Sequence, residues 1–135
     1  MTIVVDASVA VRWSFRMDRS DRADTLMNSG EPLIAPDLVL VEIANAAWKF
    51  VTFEGRQAEL VAPLIRVAHK AFDELVPAAA LKDRAFEIAL ALKHPVYDCF
   101  YLALAEQRGC QMITADDRLA RRCAGSPYGP LVTVL

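Results

Sequence analysis

Short apolar runs alternate with longer amphipathic segments along the whole chain. The short runs are rich in β-branched residues and are bounded by polar or turn-forming residues, a pattern typical of buried strands. They predict five strands, at residues 3–5, 33–35, 74–76, 111–114 and 131–134. Because helical segments lie between these strands, the pattern favours an α/β fold in which a parallel sheet of about five strands lies between layers of helices.

The longer segments repeat apolar residues at helical spacing and end near glycine or proline. Leu81, Ala85, Ile88 and Leu92, for example, share one face of a predicted helix that ends before the pair His94-Pro95. We expect Pro63 to bend or split the helix in which it falls, and Asp37 to act as an N-cap. The predicted helices cover residues 7–15, 20–29, 37–53, 56–72, 80–92, 98–108 and 116–124.

Composition indicates one globular domain over residues 1–135, since 55% of the residues are apolar and 24% are charged. A net charge of −2 argues against a broadly basic coat but allows a local basic patch. No apolar run is long enough to span a bilayer, and the N-terminal MTIVVDAS lacks a secretory pattern, so we expect a cytoplasmic protein. Cys99, Cys110 and Cys123 form no Cys-x-x-Cys pair and are expected to be reduced, buried thiols.

Two acidic residues directly follow predicted strands and precede helices. They are Asp6, after the first strand, and Asp116, after the fourth. The carboxyl ends of parallel strands meet at the edge of the sheet where ligands bind, so these two side chains are expected to share that edge. The alternative is that each one only caps the helix that follows it, and the sequence leaves both interpretations open.

A third acid, Asp98, starts a predicted helix that is apolar on nearly all sides. Such a helix is buried, which brings its N-terminus close to the core. Tyr97 and Tyr101 flank Asp98 and are expected to pack through their rings while their hydroxyls contact water.

Glu42 interrupts an otherwise apolar helix and shares one stripe of it with Asn45 and Lys49, at spacings i, i+3 and i+7. This stripe either faces solvent or lines a cleft in which Asn45 orients a neighbouring carboxylate. Four clustered carboxylates would raise one another's pKa values, and a bound Mg²⁺ or Mn²⁺ would offset that repulsion. Such a site can hydrolyse phosphodiester bonds through a metal-activated water.

Four segments, VVDAS, VEIAN, YDCFYLALAE and ITADDRL, occur in an order and at a spacing that resemble the PIN-domain family over essentially the whole chain. More narrowly, they resemble the VapC-type ribonuclease toxins of bacterial toxin–antitoxin pairs. The resemblance implies a PIN-like three-layer sandwich and a Mg²⁺-dependent endoribonuclease that uses one or two ions, with Mn²⁺ as the alternative metal. It implies that the catalytic and metal-binding residues are Asp6, Glu42, Asp98 and Asp116.

The resemblance also implies supporting residues and partners. Ser8, Asn45 and Thr114 match polar positions near the metals, and Asp117 is either a surface residue or an outer ligand. Relatives of this kind are homodimers, and a cognate antitoxin inserts its C-terminal segment into the groove near the site. Arg12 and Lys49 are the favoured RNA contacts. The remaining candidates for phosphate contacts near the acid-bearing turns are Arg16, Arg118, Arg121 and Arg122.

Four other residues are expected to have structural and not catalytic roles. His69 and His94 match nothing catalytic and are expected at the surface or as caps, while Trp13 and Trp48 are expected in the core or a dimer contact. We expect residues 39–72 to form a helical arm that either mediates dimerisation or binds the antitoxin.

Three alternative functions share some of these sequence features. A phosphoacceptor receiver domain would need a lysine at the end of a later strand, and none is present. A PIN-fold regulatory protein with little or no nuclease activity, and an RNA-processing nuclease outside a toxin–antitoxin pair, both remain open.

Overall fold

The computed structural model describes all 135 residues and contains one five-stranded parallel sheet. Its strands are β1 (Ile3–Val5), β2 (Leu33–Pro36), β3 (Glu74–Val76), β4 (Gln111–Thr114) and β5 (Val132–Val134). Their order across the sheet is β3-β2-β1-β4-β5, with every neighbouring pair parallel. The predicted α/β fold with a parallel sheet of about five strands is therefore confirmed.

Seven α-helices connect and cover these strands. They are α1 (Ala7–Ser14), α2 (Ser20–Met27), α3 (Leu38–Glu54), α4 (Ala58–Val67), α5 (Lys82–Leu92), α6 (Val96–Arg108) and α7 (Asp117–Cys123). Short 3-10 helices lie at Ala68–Ala71, Ala78–Ala80 and Gly129–Leu131. Each corresponds to a predicted helix or to the edge of a predicted element, with boundaries that differ by a few residues.

Three local predictions were wrong in detail. Pro63 does not split its helix, since α4 continues through it and the change to 3-10 geometry comes only at Ala68. Asp37 precedes α3 without capping it, because its carboxylate accepts a hydrogen bond from the Ala78 amide instead, at 2.9 Å. Helix α6 begins at Val96, two residues before Asp98, since Pro95 stands at the N-cap, where its missing N–H removes no helical hydrogen bond.

The sheet separates a large core from a small one. Val4 and Val5 point to opposite faces of β1, as successive strand residues do, and each joins a different core. The large core contains 26 buried residues, among them the predicted α5 face of Leu81, Ala85, Ile88 and Leu92. The small core lies beneath α1 and α2 and comprises Val5, Val9, Ala23, Leu26 and Leu33.

Strand order places a crevice at the carboxyl ends of β1 and β4. The chain runs from β1 to β2 and β3 on one side, and returns to β4 and β5 on the other. Loops that leave β1 and β4 therefore diverge, and ligands bind at such divergence points in open parallel sheets. Helix α6 packs against β1, β2 and β4 and brings its N-terminus to the same region.

Two further sequence-based expectations can be compared with the structure. Cys99, Cys110 and Cys123 are unpaired and buried, as predicted. No single helix is long and apolar enough to span a membrane, although α5 and α6, which meet at 114°, would be so if counted together.

Candidate active site

Asp6 occupies the bottom of the crevice, directly after β1. Only 4% of the residue is exposed, and both carboxylate oxygens accept hydrogen bonds. Oδ1 accepts from the Ser8 hydroxyl at 2.5 Å and from the Val9 amide at 3.2 Å, and Oδ2 accepts from the Thr114 hydroxyl at 2.5 Å. Asp6 therefore caps α1, as one interpretation of the sequence predicted, and Thr114 also connects it to the end of β4.

Burial sets the electrostatics of Asp6. It raises the pKa of this carboxyl to about 6, although the bonds from Ser8, Thr114 and Val9 lower it, and the charge of Asp98 raises it further. A carboxylate with a raised pKa is unfavourable in its ionised form, and a nearby cation relieves that cost.

Ser8 and Thr114 connect Asp6 to the loop that follows β4. The Ser8 hydroxyl accepts from the Ala115 amide at 2.9 Å, and the Thr114 hydroxyl accepts from the Asp116 amide at 3.0 Å. Each hydroxyl thus accepts a hydrogen bond from an amide of the loop and donates one to Asp6. These bonds fix the position of Asp116 relative to Asp6.

Asp116 and Asp117 have different surroundings although they are consecutive. Asp116 is half-buried and caps α7, with Oδ1 accepting from the Arg118 and Leu119 amides at 2.9 and 3.3 Å. Asp117 is exposed, and Arg19 donates to both of its oxygens, at 3.3 and 2.8 Å. This hydrogen bond from Arg19 lowers the pKa of Asp117. Arg19 was missed by the sequence analysis, which singled out other arginines.

Glu42 lies on α3 and is half-buried, and its Oε1 accepts a hydrogen bond from the Tyr101 hydroxyl at 2.5 Å. Burial raises the pKa of Glu42, and the charge of Asp98 adds to the effect. The expectation that the Tyr101 hydroxyl contacts water was wrong, because Tyr101 is 1% exposed. Asn45 and Lys49, which share the helix stripe with Glu42, are exposed.

Asp98 lies in the first turn of α6, where the ring of His94 contacts it. The distance from His94 Nε2 to Asp98 Oδ2 is 2.6 Å. The expectation of a bland surface or capping role for His94 therefore missed a direct contact with a predicted catalytic acid. The i,i+4 spacing of the two residues could have indicated this contact. Pro95 lies between them, however, and was interpreted as a break between two helices. His69, by contrast, is exposed as expected.

The charge of Asp98 acts on two of the other predicted acids. The charge of Asp98 raises the pKa of both Asp6 and Glu42, and the pKa of Tyr101 responds to the charges of all three. Asp116 joins this group through the backbone bond to Thr114. Asp98 thus lies within electrostatic range of Asp6 and Glu42, and Thr114 connects Asp116 to Asp6.

The donor set fits a hard divalent cation. Carboxylate oxygens are the ligands that Mg²⁺ and Mn²⁺ prefer, and the raised pKa of Asp6 indicates a site that favours added positive charge. No three His, Cys, Asp or Glu side chains converge closely enough to form a complete ligand set by themselves. Mg²⁺ commonly binds through one or two carboxylates and retains several waters, which is compatible with this arrangement.

The candidate RNA contacts differ in availability. Arg12 donates to the Ser8 and Asp18 carbonyls and to the Asp18 carboxylate, so its guanidinium is bonded within the protein. Lys49 is exposed. Arg118 has an 86% exposed side chain, and its Nε lies 3.9 Å from Asp116 Oδ1.

The two tryptophans occupy different environments. Trp13 packs against Phe72 and donates its indole N–H to the Ala23 carbonyl at 2.8 Å. Trp48 is 54% exposed on α3 and makes an edge-on contact with Phe53.

A parallel sheet with acids gathered at its point of divergence defines the class of the protein. Residues 3–125 match the PIN domain family, and the chain belongs to that family. Ribonuclease VapC3 of Pyrobaculum aerophilum is 35% identical over 127 residues, which cover 90% of this chain and 95% of that protein. The resemblance to VapC-type PIN domains that the sequence motifs indicated is thereby confirmed.

Two solved structures share the fold. A crystal structure of a protein from Pyrobaculum aerophilum superposes with a TM-score of 0.72 at 23% identity, covering 93% of this chain and 82% of that one. A toxin–antitoxin complex from Klebsiella pneumoniae superposes with a TM-score of 0.68 at 17% identity, covering 97% of this chain and 95% of that one.

Proposed function

We propose that this chain is a divalent-metal-dependent endoribonuclease and the toxin component of a toxin–antitoxin pair. The observation that carries the proposal is the nearness of Asp98 to both Asp6 and Glu42, whose pKa values its charge raises, with Asp116 joined to Asp6 through Thr114. The relationship to a protein named Ribonuclease VapC3 supports RNA as the substrate.

The four acids would bind one or two divalent ions, either Mg²⁺ or Mn²⁺. A bound ion would supply a Lewis acid that activates water and offsets the charge that develops on the scissile phosphate. Asp6 is oriented by Ser8 and Thr114, and Asp98 by His94. Asn45, which is exposed, supports the site from its edge, and Asp117 is an exposed surface residue paired with Arg19.

The substrate's phosphates meet basic side chains at the rim. Lys49 extends from the same face of α3 as Glu42 and is exposed, so it can contact a backbone phosphate. Arg118 lies beside Asp116 and is available in the same way. Arg12 would have to exchange its internal bonds to Asp18 before it could contact RNA.

Protein partners are part of the same proposal. Helices α3 and α4 form an arm whose groove is lined by apolar residues only: Ala44, Ala47, Trp48, Val51, Ala58, Val61, Ala62 and Ile65. Apolar surface of this kind marks protein-binding sites. The fold shared with a toxin–antitoxin complex supports an antitoxin as the occupant.

We further propose that the chain forms a homodimer in the cytoplasm. Elution as a monomer at micromolar concentration would contradict the dimer.

Cleavage of total RNA tests the nuclease directly. The purified chain would be incubated with Mg²⁺, with EDTA, and as the Asp98→Asn variant with Mg²⁺. Discrete fragments that require both the metal and Asp98 would establish the activity and reveal the target. Intact RNA under all conditions would favour the PIN-fold regulatory alternative. A neighbouring gene for a small DNA-binding antitoxin would favour the toxin over an RNA-processing enzyme.

A further inference from the structure

We propose that Tyr101 is a positioning residue that holds the Glu42 side chain at the acidic crevice. The inference rests on the proposed function, because it concerns how one of the four acids is kept in place. The ring of Tyr101 packs in the large core, and its hydroxyl contacts Glu42.

The hydroxyl of Tyr101 is shielded from water and forms one hydrogen bond within the protein. It donates to Glu42 Oε1 at 2.5 Å, while the residue is 1% exposed. A buried hydroxyl without a partner costs free energy, and phenylalanine would fill the same space with no such requirement. The hydrogen bond to Glu42 therefore accounts for a tyrosine at this buried position of α6.

Helix α6 thereby controls two acids at once. Asp98 and Tyr101 are three residues apart, so they lie on the same face of α6. The first supplies its own carboxylate, and the second fixes a carboxylate that belongs to α3. This bond connects Glu42 on α3 to the helix that carries Asp98.

The bond also restricts a flexible side chain. Glutamate has three rotatable side-chain bonds, and Glu42 has no other hydrogen-bond donor in the structure. The carboxylate of Glu42 has no proton to donate, so the Tyr101 hydroxyl is the donor in this bond. Donation to Oε1 leaves Oε2 free for another ligand.

The test compares Tyr101→Phe with the wild-type chain and with Tyr128→Phe. Tyr128 is also buried, and its hydroxyl contacts Arg84 at 3.3 Å, away from the acids, so it is a matched control. We expect Tyr101→Phe to keep the fold by circular dichroism, to weaken Mn²⁺ binding about 10-fold, and to lower kcat about 10-fold with KM for RNA within about two-fold. Tyr128→Phe should leave Mn²⁺ affinity and kcat unchanged.

A double-mutant cycle separates positioning from a general effect on packing. If Tyr101 acts through Glu42, then Tyr101→Phe should have no further effect on Mn²⁺ affinity in a Glu42→Gln background. Equal losses in both backgrounds, or wild-type Mn²⁺ affinity in Tyr101→Phe, would overturn the proposal. Mn²⁺ binding without any RNA cleavage by the wild-type chain would contradict the proposed nuclease, while the cycle would still decide the role of Tyr101.

Discussion

The Thr114 hydroxyl donates a hydrogen bond to Asp6 Oδ2 at 2.5 Å, although the two residues are 108 positions apart in the chain. Thr114 is the last residue of β4, is fully buried, and also accepts from the Asp116 amide. One hydroxyl therefore links the first acid to the loop that carries the fourth. The relative position of Asp6 and Asp116 depends on this side chain as well as on the pairing of β1 with β4.

Thr114→Val is expected to impair both stability and cleavage. Valine has nearly the same shape, but it leaves Asp6 Oδ2 and the Asp116 amide without their partner, which costs about 1–3 kcal/mol. We expect a lower melting temperature and a loss of about 10- to 100-fold in RNA cleavage, as for other residues that orient metal ligands. Thr114→Ser keeps the hydroxyl and should retain most activity. Equal activity in the valine and serine variants would show that the hydroxyl has no role.

Asp6→Asn should stabilise the metal-free protein while abolishing cleavage. The ionised carboxylate of Asp6 is buried near Asp98, and asparagine removes its charge without changing its size. In EDTA at pH 8 we expect the variant to melt at a higher temperature than wild type, and Mg²⁺ to stabilise wild type only. Asp117→Asn is the control, since Asp117 is exposed and paired with Arg19. A variant less stable than wild type in EDTA would show that the Asp6 charge is already compensated.

The pH dependence of stability follows from the same carboxyl. Its pKa is raised from 3.8 to about 6 on folding, so the folded state binds more protons than the unfolded state between these values. The contribution of Asp6 is fully present below pH 3.8 and is lost as pH rises through about 6. In EDTA the free energy of unfolding of wild type should therefore fall, relative to Asp6→Asn, by up to about 3 kcal/mol across this window. Parallel curves for the two proteins would contradict a raised pKa for Asp6.

Strands and the strand-end acids could be predicted because their signals are local. The β-branched run before Asp6 and the run before Asp116 each identify a strand, and parallel strands bring their carboxyl ends to one edge. Helix α6 was recognised in the same way, from apolar residues on nearly all sides.

Contacts between helices could not be predicted from local patterns. The bond from Tyr101 to Glu42 depends on how α3 packs against α6, and 59 residues separate the pair. The contact of His94 with Asp98 depends on α6 beginning at Val96, whereas the apolar pattern predicts a helix that begins at Asp98. In both cases a residue assigned to packing or to the surface proved to touch an acid.

Asp116→Asn and Asp117→Asn should separate the two consecutive acids of the β4–α7 loop. Asparagine is as good an N-cap as aspartate, so Asp116→Asn keeps the start of α7 and removes only the charge at the crevice. We expect it to lower RNA cleavage at least about 100-fold with little change in melting temperature. Asp117→Asn weakens the exposed pair with Arg19 and should leave cleavage within about three-fold of wild type, since exposed ion pairs contribute little. The reverse order of effects would make Asp117 the metal-binding acid and Asp116 only a helix cap.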